Sequence, residues 1–476
     1  MYDYIIIGAG VVGSFIAKEL SQYDVKTLVL DKENDIANGT SMANSAIIHS
    51  GYDPEPNTLM AKLNVVGNQM YPELCKYYDV DFSPIGSITI AFDDAGVEKI
   101  KELAERAVIN KVETRILSSE EILEKEPHVK KDAKLGLFAP TAGIVYPWQM
   151  CLALMDHAIS NGVELRLNQE VIKIEKIEQG FLITTKDNQY QTKNIINCAG
   201  VYGAKIQGML EKPQYDIRPR KGEYYVLTRG NFEYVNHVIF PLPTERGKGV
   251  LAVPISEREI LVGPTSDYVD SFDDLSTTAE KLAYLKEEIL HTMNDMPVDR
   301  IMRSFAGLRA TSEKHDFDIS ASKENKGLYN VIGIESPGLA SSPAIAKYVS
   351  KIAQFEKLPK KTDFKEYQAT TRIRNLKMPE RIEKIPENNL YGNIVCRCEN
   401  ISEQEIVEAI HGNVGSISVK GIKKRVRPGS GQCQGGFCEG HIVKIIAREK
   451  GIDEMDVKYD NDKSPILVSL SKEEYR

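Results

Sequence analysis

The spacing of apolar residues changes period several times along the chain, first within its opening segment. Asp3 to Ile7 (DYIII) is a short β-rich run, after which apolar residues recur at helical spacing through Val12, Phe15, Ile16 and Leu20. Between the two lies Gly8-Ala-Gly10-Val-Val-Gly13, so the pattern predicts strand, tight turn, helix. A second strand-like run, Lys26 to Leu30, ends in Asp31. Val171 to Glu175 and Asn194 to Asn197 also read as strands, the latter running into a small-residue turn at Ala199 and Gly200. Near the other end, Ser402-Glu-Gln-Glu405 is a capping box that opens a helix, and Gly440 to Lys450 predicts another.

The first unit carries chemistry. Gly8 permits the turn, Gly10 lets the backbone approach a pyrophosphate, and Gly13 lets helix and strand pack closely. The helix N-terminus offers free N–H groups to phosphate, and Asp31 stands where a ribose-binding acid belongs. A glycine-rich turn alone is a weak signal, but strand before, helix after and acid at the end of the second strand point to a dinucleotide. These residues leave FAD and NAD both open; Val171 is expected beside the adenine, and the return at Ala199 and Gly200 leans toward FAD.

With 476 residues the chain exceeds a single core, so two or three domains are expected. Hydrophobic residues at 42% and charged residues at 27% are ordinary for a globular protein, and a net charge of -8 argues against nucleic acid as partner. The run beginning at Asp3 leaves no room for a signal segment, and no stretch is apolar for long enough to span a membrane. The expectation is a cytoplasmic protein whose membrane contact, if any, comes through a partner. Of seven cysteines, Cys75, Cys151 and Cys198 are scattered, whereas Cys396, Cys398, Cys433 and Cys438 crowd together after the charged, proline-punctuated stretch 357–389. That is a ligand distribution rather than a disulfide ladder. One residue between Cys396 and Cys398 is tight for zinc, and Gly429, Gly431, Gly435 and Gly436 suit N–H donation to an iron–sulfur cluster, although a zinc site remains the alternative. Lys423, Lys424, Arg425 and Arg427, between the cysteine pairs, are expected to offset cluster charge, dock an acidic partner or lie solvated.

Thr40 to Gly51 (TSMANSAIIHSG) resembles the D-amino-acid-oxidase-type flavoproteins, in the branch of glycerol-3-phosphate and L-2-hydroxyglutarate dehydrogenases. Pro219 to Tyr224, Lys248 to Pro254, Gly263 to Thr265, Phe305 to Arg309 and Gly333 to Ala340 fit the same branch. The resemblance implies a mixed α/β fold (α+β overall) over residues 1–355: a Rossmann-like FAD domain (about 1–80, 145–215 and 300–355) interleaved with an antiparallel-sheet substrate domain (about 81–144 and 216–299). By it, Thr40, Ser41, Asn44 and Ser45 approach the pyrophosphate or flavin, and Gly333, Gly338 and Leu339 bind the cofactor, the last two offering backbone groups to the pyrimidine edge. His49 becomes the candidate base for a substrate hydroxyl, or a histidine that positions the flavin; Arg309 becomes the grip on an anionic group, or a structural salt bridge. His49 is followed by Ser50-Gly51-Tyr52-Asp53, so the phosphate-binding arginine of an HGGLR-like segment is absent. Arg220, Lys221, Arg246 and Lys248 are further candidate cations.

Residues 391–450 resemble the bacterioferritin-associated-ferredoxin-type [2Fe-2S] domain at the end of anaerobic glycerol-3-phosphate dehydrogenase large subunits, with 356–390 as linker and 451–476 as tail. The cofactors implied are FAD and a [2Fe-2S] cluster held by the four late cysteines. The expected reaction is oxidation of a small anionic hydroxy substrate, glycerol 3-phosphate foremost, by hydride transfer to flavin N5. Electrons then pass through the cluster to a partner subunit or quinone-linked carrier. A 2-hydroxy-acid dehydrogenase and an electron-transfer flavoprotein subunit are the rival readings.

Overall fold

The computed structural model describes residues 1–228, 234–242, 249–255 and 259–469; Arg246 and Lys248 lie outside them. The opening unit folds as its pattern dictates: strand β1 (Tyr2–Ile7), helix α1 (Val11–Leu20), strand β2 (Thr27–Leu30). β1 runs parallel to β2 on one side and to strand Gln189–Asn197 on the other. Alternate side chains of β1 enter different cores: Tyr4 and Ile6 pack under α1, while Ile5 and Ile7 face the opposite layer with Leu28 and Leu30. Burial on both faces is why the run is apolar without alternation, and each buried isoleucine contributes about 1.5–3 kcal/mol. Helices Pro147–Ser160 and Gly338–Ile352 pack against α1 and close the layer. Among the described residues the sheet has eight strands: Val171–Ile177 and Gly180–Thr185 extend it antiparallel on one flank, Glu164–Arg166 parallel on the other, and Asp318–Ala321 pairs antiparallel with Leu328–Ile332.

A second, nine-stranded sheet is antiparallel except where Val238–Pro241 meets Ser87–Ala91. Its spine is the long ladder of Ile217–Thr228 against Ile301–Ser312, whose register sets Arg220 opposite Arg309 and Gly222 opposite Gly307. At Gly307 a side chain is forbidden, because a Cβ there would stand 2.0 Å from the Ala43 carbonyl oxygen. The loop 40–45 therefore lies directly on this sheet. The fold class is the expected mixture of a parallel α/β layer, an antiparallel sheet and a small helical C-terminal unit.

That C-terminal unit has its own core around Ile406, Ile410, Ile422, Ile442 and Ile446. Ser402 and Glu405 form the capping box of helix Glu403–His411, and Glu439–Lys450 is the other expected helix. Between them Lys423, Lys424 and Arg425 lie in a further helix, Val419–Val426. The connecting stretch is tethered to the body: Lys361 N–H donates to the Gln22 carbonyl, Tyr367 packs on Tyr78, and Ile373 N–H donates to Glu405. It also carries a short helix, Met378–Glu387. Among the described residues no helix is long and apolar enough to cross a membrane.

Candidate functional site

A cavity of about 570 Å³ runs between the parallel sheet and the antiparallel ladder, ample for an extended cofactor with substrate space beside it. At one end is the turn after β1. Gly8 has φ +107°, and a Cβ on Gly13 would stand 2.0 Å from the Gly8 carbonyl oxygen, so strand and helix meet there without side chains. Gly8 and Gly10 line the cavity, whereas Gly13 supports the turn from behind. The Asp31 carboxylate, also in the lining, accepts the N–H groups of Ala9 (2.6 Å) and Glu33 (2.9 Å), and burial pushes its pKa up to about 6. Val171, Ala199 and Gly200 complete this end. Lys32 caps it, held over the Tyr202 ring at 4.2 Å and paired with Asp273 at 3.0 Å.

Thr40, Ser41, Asn44 and Ser45 all line the middle. Ser41 Oγ accepts the Val11 N–H, Thr40 Oγ1 donates to the Leu308 carbonyl, and Asn44 donates to the Thr40 and Ser41 carbonyls. Their side chains thus hold the loop in place while its backbone lines the cavity. Gly39 and Gly200 each have no heavy atom within 4 Å of the position a Cβ would take, so both leave open room beside the backbone. The N-terminus of helix Gly338–Ile352 faces the cavity with Gly338 and Leu339, presenting the positive end of the helix, with the Gly338 N–H itself donating to the Glu335 carbonyl. Gly333 stands outside the lining: at φ +68° it makes the turn leading there, and it packs on Ser312.

His49 and Arg309 line the same cavity. The His49 carbonyl accepts from Asn64 (2.7 Å) and Asn68 (3.1 Å), its Nε2 lies 3.3 Å from Ser336 Oγ, and burial pushes the imidazole down to about 4. It is therefore neutral at pH 7. Arg309 donates to the carbonyls of Arg220 (3.3 Å), Lys221 (3.3 Å) and Thr265 (2.7 Å) through Nε and Nη2. Among the described residues no carboxylate lies within ion-pair distance of Arg309. Its neighbour Arg220, by contrast, is paired with Glu335 at 2.6 Å, and Lys221 with Asp274 at 2.8 Å. The guanidinium is thus fixed by carbonyls on the cavity lining without a direct ion pair among the described residues, although Glu335 and Asp267 lie near enough to act on its charge.

The four late cysteines meet as two pairs. Cys398 and Cys433 have their sulfurs 3.6 Å apart, and Cys396 is hydrogen-bonded to Cys438. That bond and the N–H groups of Gly429 and Glu399 pull the Cys396 thiol down to about 6; N–H groups of Phe437 and Gly435 lower Cys433. Cys438, the other member of its pair, is pushed up by the bond to Cys396. Only glycine fits at 431, where a Cβ would stand 2.3 Å from that of Cys398. Two thiol pairs with amide donors suit a two-iron cluster that takes two thiolates on each iron.

Residues 3–352 match the model of the FAD dependent oxidoreductase family. The chain belongs to that family. Residues 394–448 of this oxidoreductase match the BFD-like [2Fe-2S] binding domain. Over 478 aligned residues and the full length of both chains it is 42% identical to the glycerol 3-phosphate dehydrogenase of Caloramator mitchellensis. It is 31% identical to the glycerol 3-phosphate oxidase of Mycoplasma pneumoniae, over 76% of this chain and 97% of that one. A solved structure of L-alpha-glycerophosphate oxidase from Mycoplasma pneumoniae with FAD bound superposes with a TM-score of 0.73, at 29% identity, covering 78% of this chain and 99% of that one. FAD and a [2Fe-2S] cluster are the cofactors of this oxidoreductase, and the open backbone at Gly39 and Gly200 and the paired thiols fit them.

Most of the basic segment between the cysteine pairs is not solvated but paired within the chain. Lys424 and Arg425 reach into the first unit and bind Asp35, each at 2.8 Å, and Lys424 also donates to the Ile36 carbonyl and Asn38. Arg427 pairs with Glu399 at 3.0 Å and lies 4.8 Å from the Tyr146 ring centre; Lys423 donates to the Gly429 carbonyl. Lys424 and Arg425, with Arg427 through the Tyr146 ring, dock the cluster unit onto the first domain, whereas Lys423 is bonded within the cluster unit. Ser336, Tyr224, Phe240 and the Lys32–Asp273 clasp also line the cavity without having been singled out. Ser336 and Tyr224 do lie inside the segments that carried the resemblance.

Proposed function

We propose that this oxidoreductase oxidises sn-glycerol 3-phosphate at C2 to dihydroxyacetone phosphate. The observation that carries the reading is the match along the whole chain, both modules included, to a glycerol 3-phosphate dehydrogenase. FAD, when bound, supplies a two-electron acceptor for the C2 hydride, and the cluster a one-electron exit toward an external acceptor. Arg309 holds the phosphate, its fork fixed by three carbonyls and without a direct ion pair among the described residues. His49, neutral and beside Ser336, takes the C2 hydroxyl proton on its free imidazole nitrogen. The helix N-terminus at Gly338 offers donors where negative charge gathers on the bound cofactor.

Anaerobic addition of stoichiometric sn-glycerol 3-phosphate should bleach the flavin, with L-2-hydroxyglutarate inert; the reverse pattern would transfer the proposal to a 2-hydroxy acid. Arg309→Lys keeps the charge but loses the planar fork. It should cost about 1.5–3 kcal/mol in the transition state, roughly 10- to 150-fold in kcat/KM, with FAD content unchanged. Parent-like kinetics would return Arg309 to a structural role. Because a lowered pKa keeps His49 in its base form until pH falls through about 4, flavin reduction should show no acid limb from this group between pH 5 and 8. A stopped-flow pH series checks this, and a limb near the ordinary histidine value that disappears in His49→Gln would contradict it.

A further inference from the structure

The cluster site opens outward. Its cysteines line a cavity of about 940 Å³ at the protein surface, with Phe437 at the mouth beside Cys438. Phe437 is 83% exposed, the largest exposure of any large apolar side chain among the described residues. An aromatic ring left in water next to a redox site marks a contact surface. The lining is also cationic: Arg397, Lys444 and Arg448 stand against one carboxylate, Glu403, which Arg448 itself pairs at 2.5 Å. Arg397 and Lys444 are exposed and have no carboxylate within ion-pair distance among the described residues. This local positive rim sits on a chain of net charge -8. It is also distinct from Lys424, Arg425 and Arg427, whose charges are paired inside the molecule.

We infer that the rim around Phe437 is the docking site of a small acidic protein that carries single electrons. Carboxylates of the carrier face Arg397 and Lys444, and Phe437 seats against it beside the thiolates. A second copy of this chain fits poorly, because a two-fold contact would set the cationic rim against itself. Each docked carrier takes one electron and leaves, so two oxidised carriers are reduced for each substrate molecule oxidised. The inference rests on the reading of the cluster as electron exit, but docking is measurable on the oxidised holoprotein without substrate, so the two fail separately.

The test immobilises oxidised holoprotein and follows association of two acidic probes, an oxidised flavodoxin and an oxidised plant-type ferredoxin. Basic cytochrome c and vesicles of anionic phospholipid serve as comparisons. Raising ionic strength from about 0.01 to 0.15 M shortens the screening length from about 30 to 8 Å. At least one acidic probe should then associate roughly 10-fold more slowly. Lys444→Glu should slow association roughly 10-fold at low salt, Lys444→Gln less, and Phe437→Ser should hasten dissociation, all with the cluster's visible absorption intact. Several results would overturn the docking site: no binding of either acidic probe, salt-insensitive binding, preferential binding of cytochrome c or vesicles, or parent-like association of Lys444→Glu.

Discussion

Asp35→Ala should be among the most destabilising single substitutions in this chain, costing about 3–5 kcal/mol, because it strips the shared partner from two buried cations. Asp35 and Lys424 expose only 2% and 3% of their side chains, and Arg425 grips both Asp35 oxygens, at 2.8 and 2.9 Å. Without the carboxylate, Lys424 and Arg425 must stay charged in the interior or pull out, and pulling out undocks the cluster unit. Urea unfolding should show a lower midpoint with a separate early transition for residues 391–450, and limited proteolysis should cut the connecting stretch sooner. The same triad sets an acid limit. Burial opposes ionisation of Asp35, but Arg425 and Lys424 outweigh it and hold the carboxyl at about 2, below its ordinary 3.8. Its contribution is therefore complete above pH 3.8 and is lost as pH falls through about 2. A parent-like unfolding midpoint in Asp35→Ala would mean that the two cations are satisfied elsewhere.

Cys433→Ser should separate substrate oxidation from electron export. Cys433 lies 3.6 Å from Cys398, and its sulfur receives N–H groups from Phe437 and Gly435, so serine removes a thiolate from a site built for one. The variant is expected to lose the cluster's visible absorption and about two orders of magnitude in turnover with an external acceptor, equivalent to roughly 2.7 kcal/mol in barrier. Stoichiometric sn-glycerol 3-phosphate should still bleach its FAD anaerobically, since His49 and Arg309 belong to the other cavity. Full turnover in the absence of the cluster would place the electron exit elsewhere on the molecule. Equal loss of bleaching would make the cluster unit part of the substrate site.

The features legible in the chain were those made by neighbours in sequence. Gly8, Gly10 and Gly13 could be read because strand, turn and helix are contiguous, although only Gly13 meets its contact, the Gly8 carbonyl, inside that unit, while Gly8 packs on Cys198 and Gly10 on Ser41. The four cysteines could be read because close pairs in a glycine-rich loop are a local arrangement, and Ser402 with Glu405 because a capping box spans one helical turn. What the chain could not disclose lies between distant segments. Arg309 alone is any arginine; only the register of Ile217–Thr228 against Ile301–Ser312, with Thr265 beside it, sets it next to Arg220, fixes it by carbonyls and leaves it without an ion pair among the described residues. Lys424 and Arg425 looked like solvated or partner-seeking charge because Asp35 is 390 positions from Arg425. Charge patterning names the residue types, but the energy of a buried ion pair depends on which groups the fold removes from water together. The sequence by itself therefore pointed, through short-range geometry, to a dinucleotide site and a thiolate metal site and to the unit that holds each, while the choice of FAD and a [2Fe-2S] cluster came with the family resemblance. Only the tertiary structure decided which cation faces the substrate cavity, which cations join the units and which remain at the surface, because pairing and desolvation are set by three-dimensional packing.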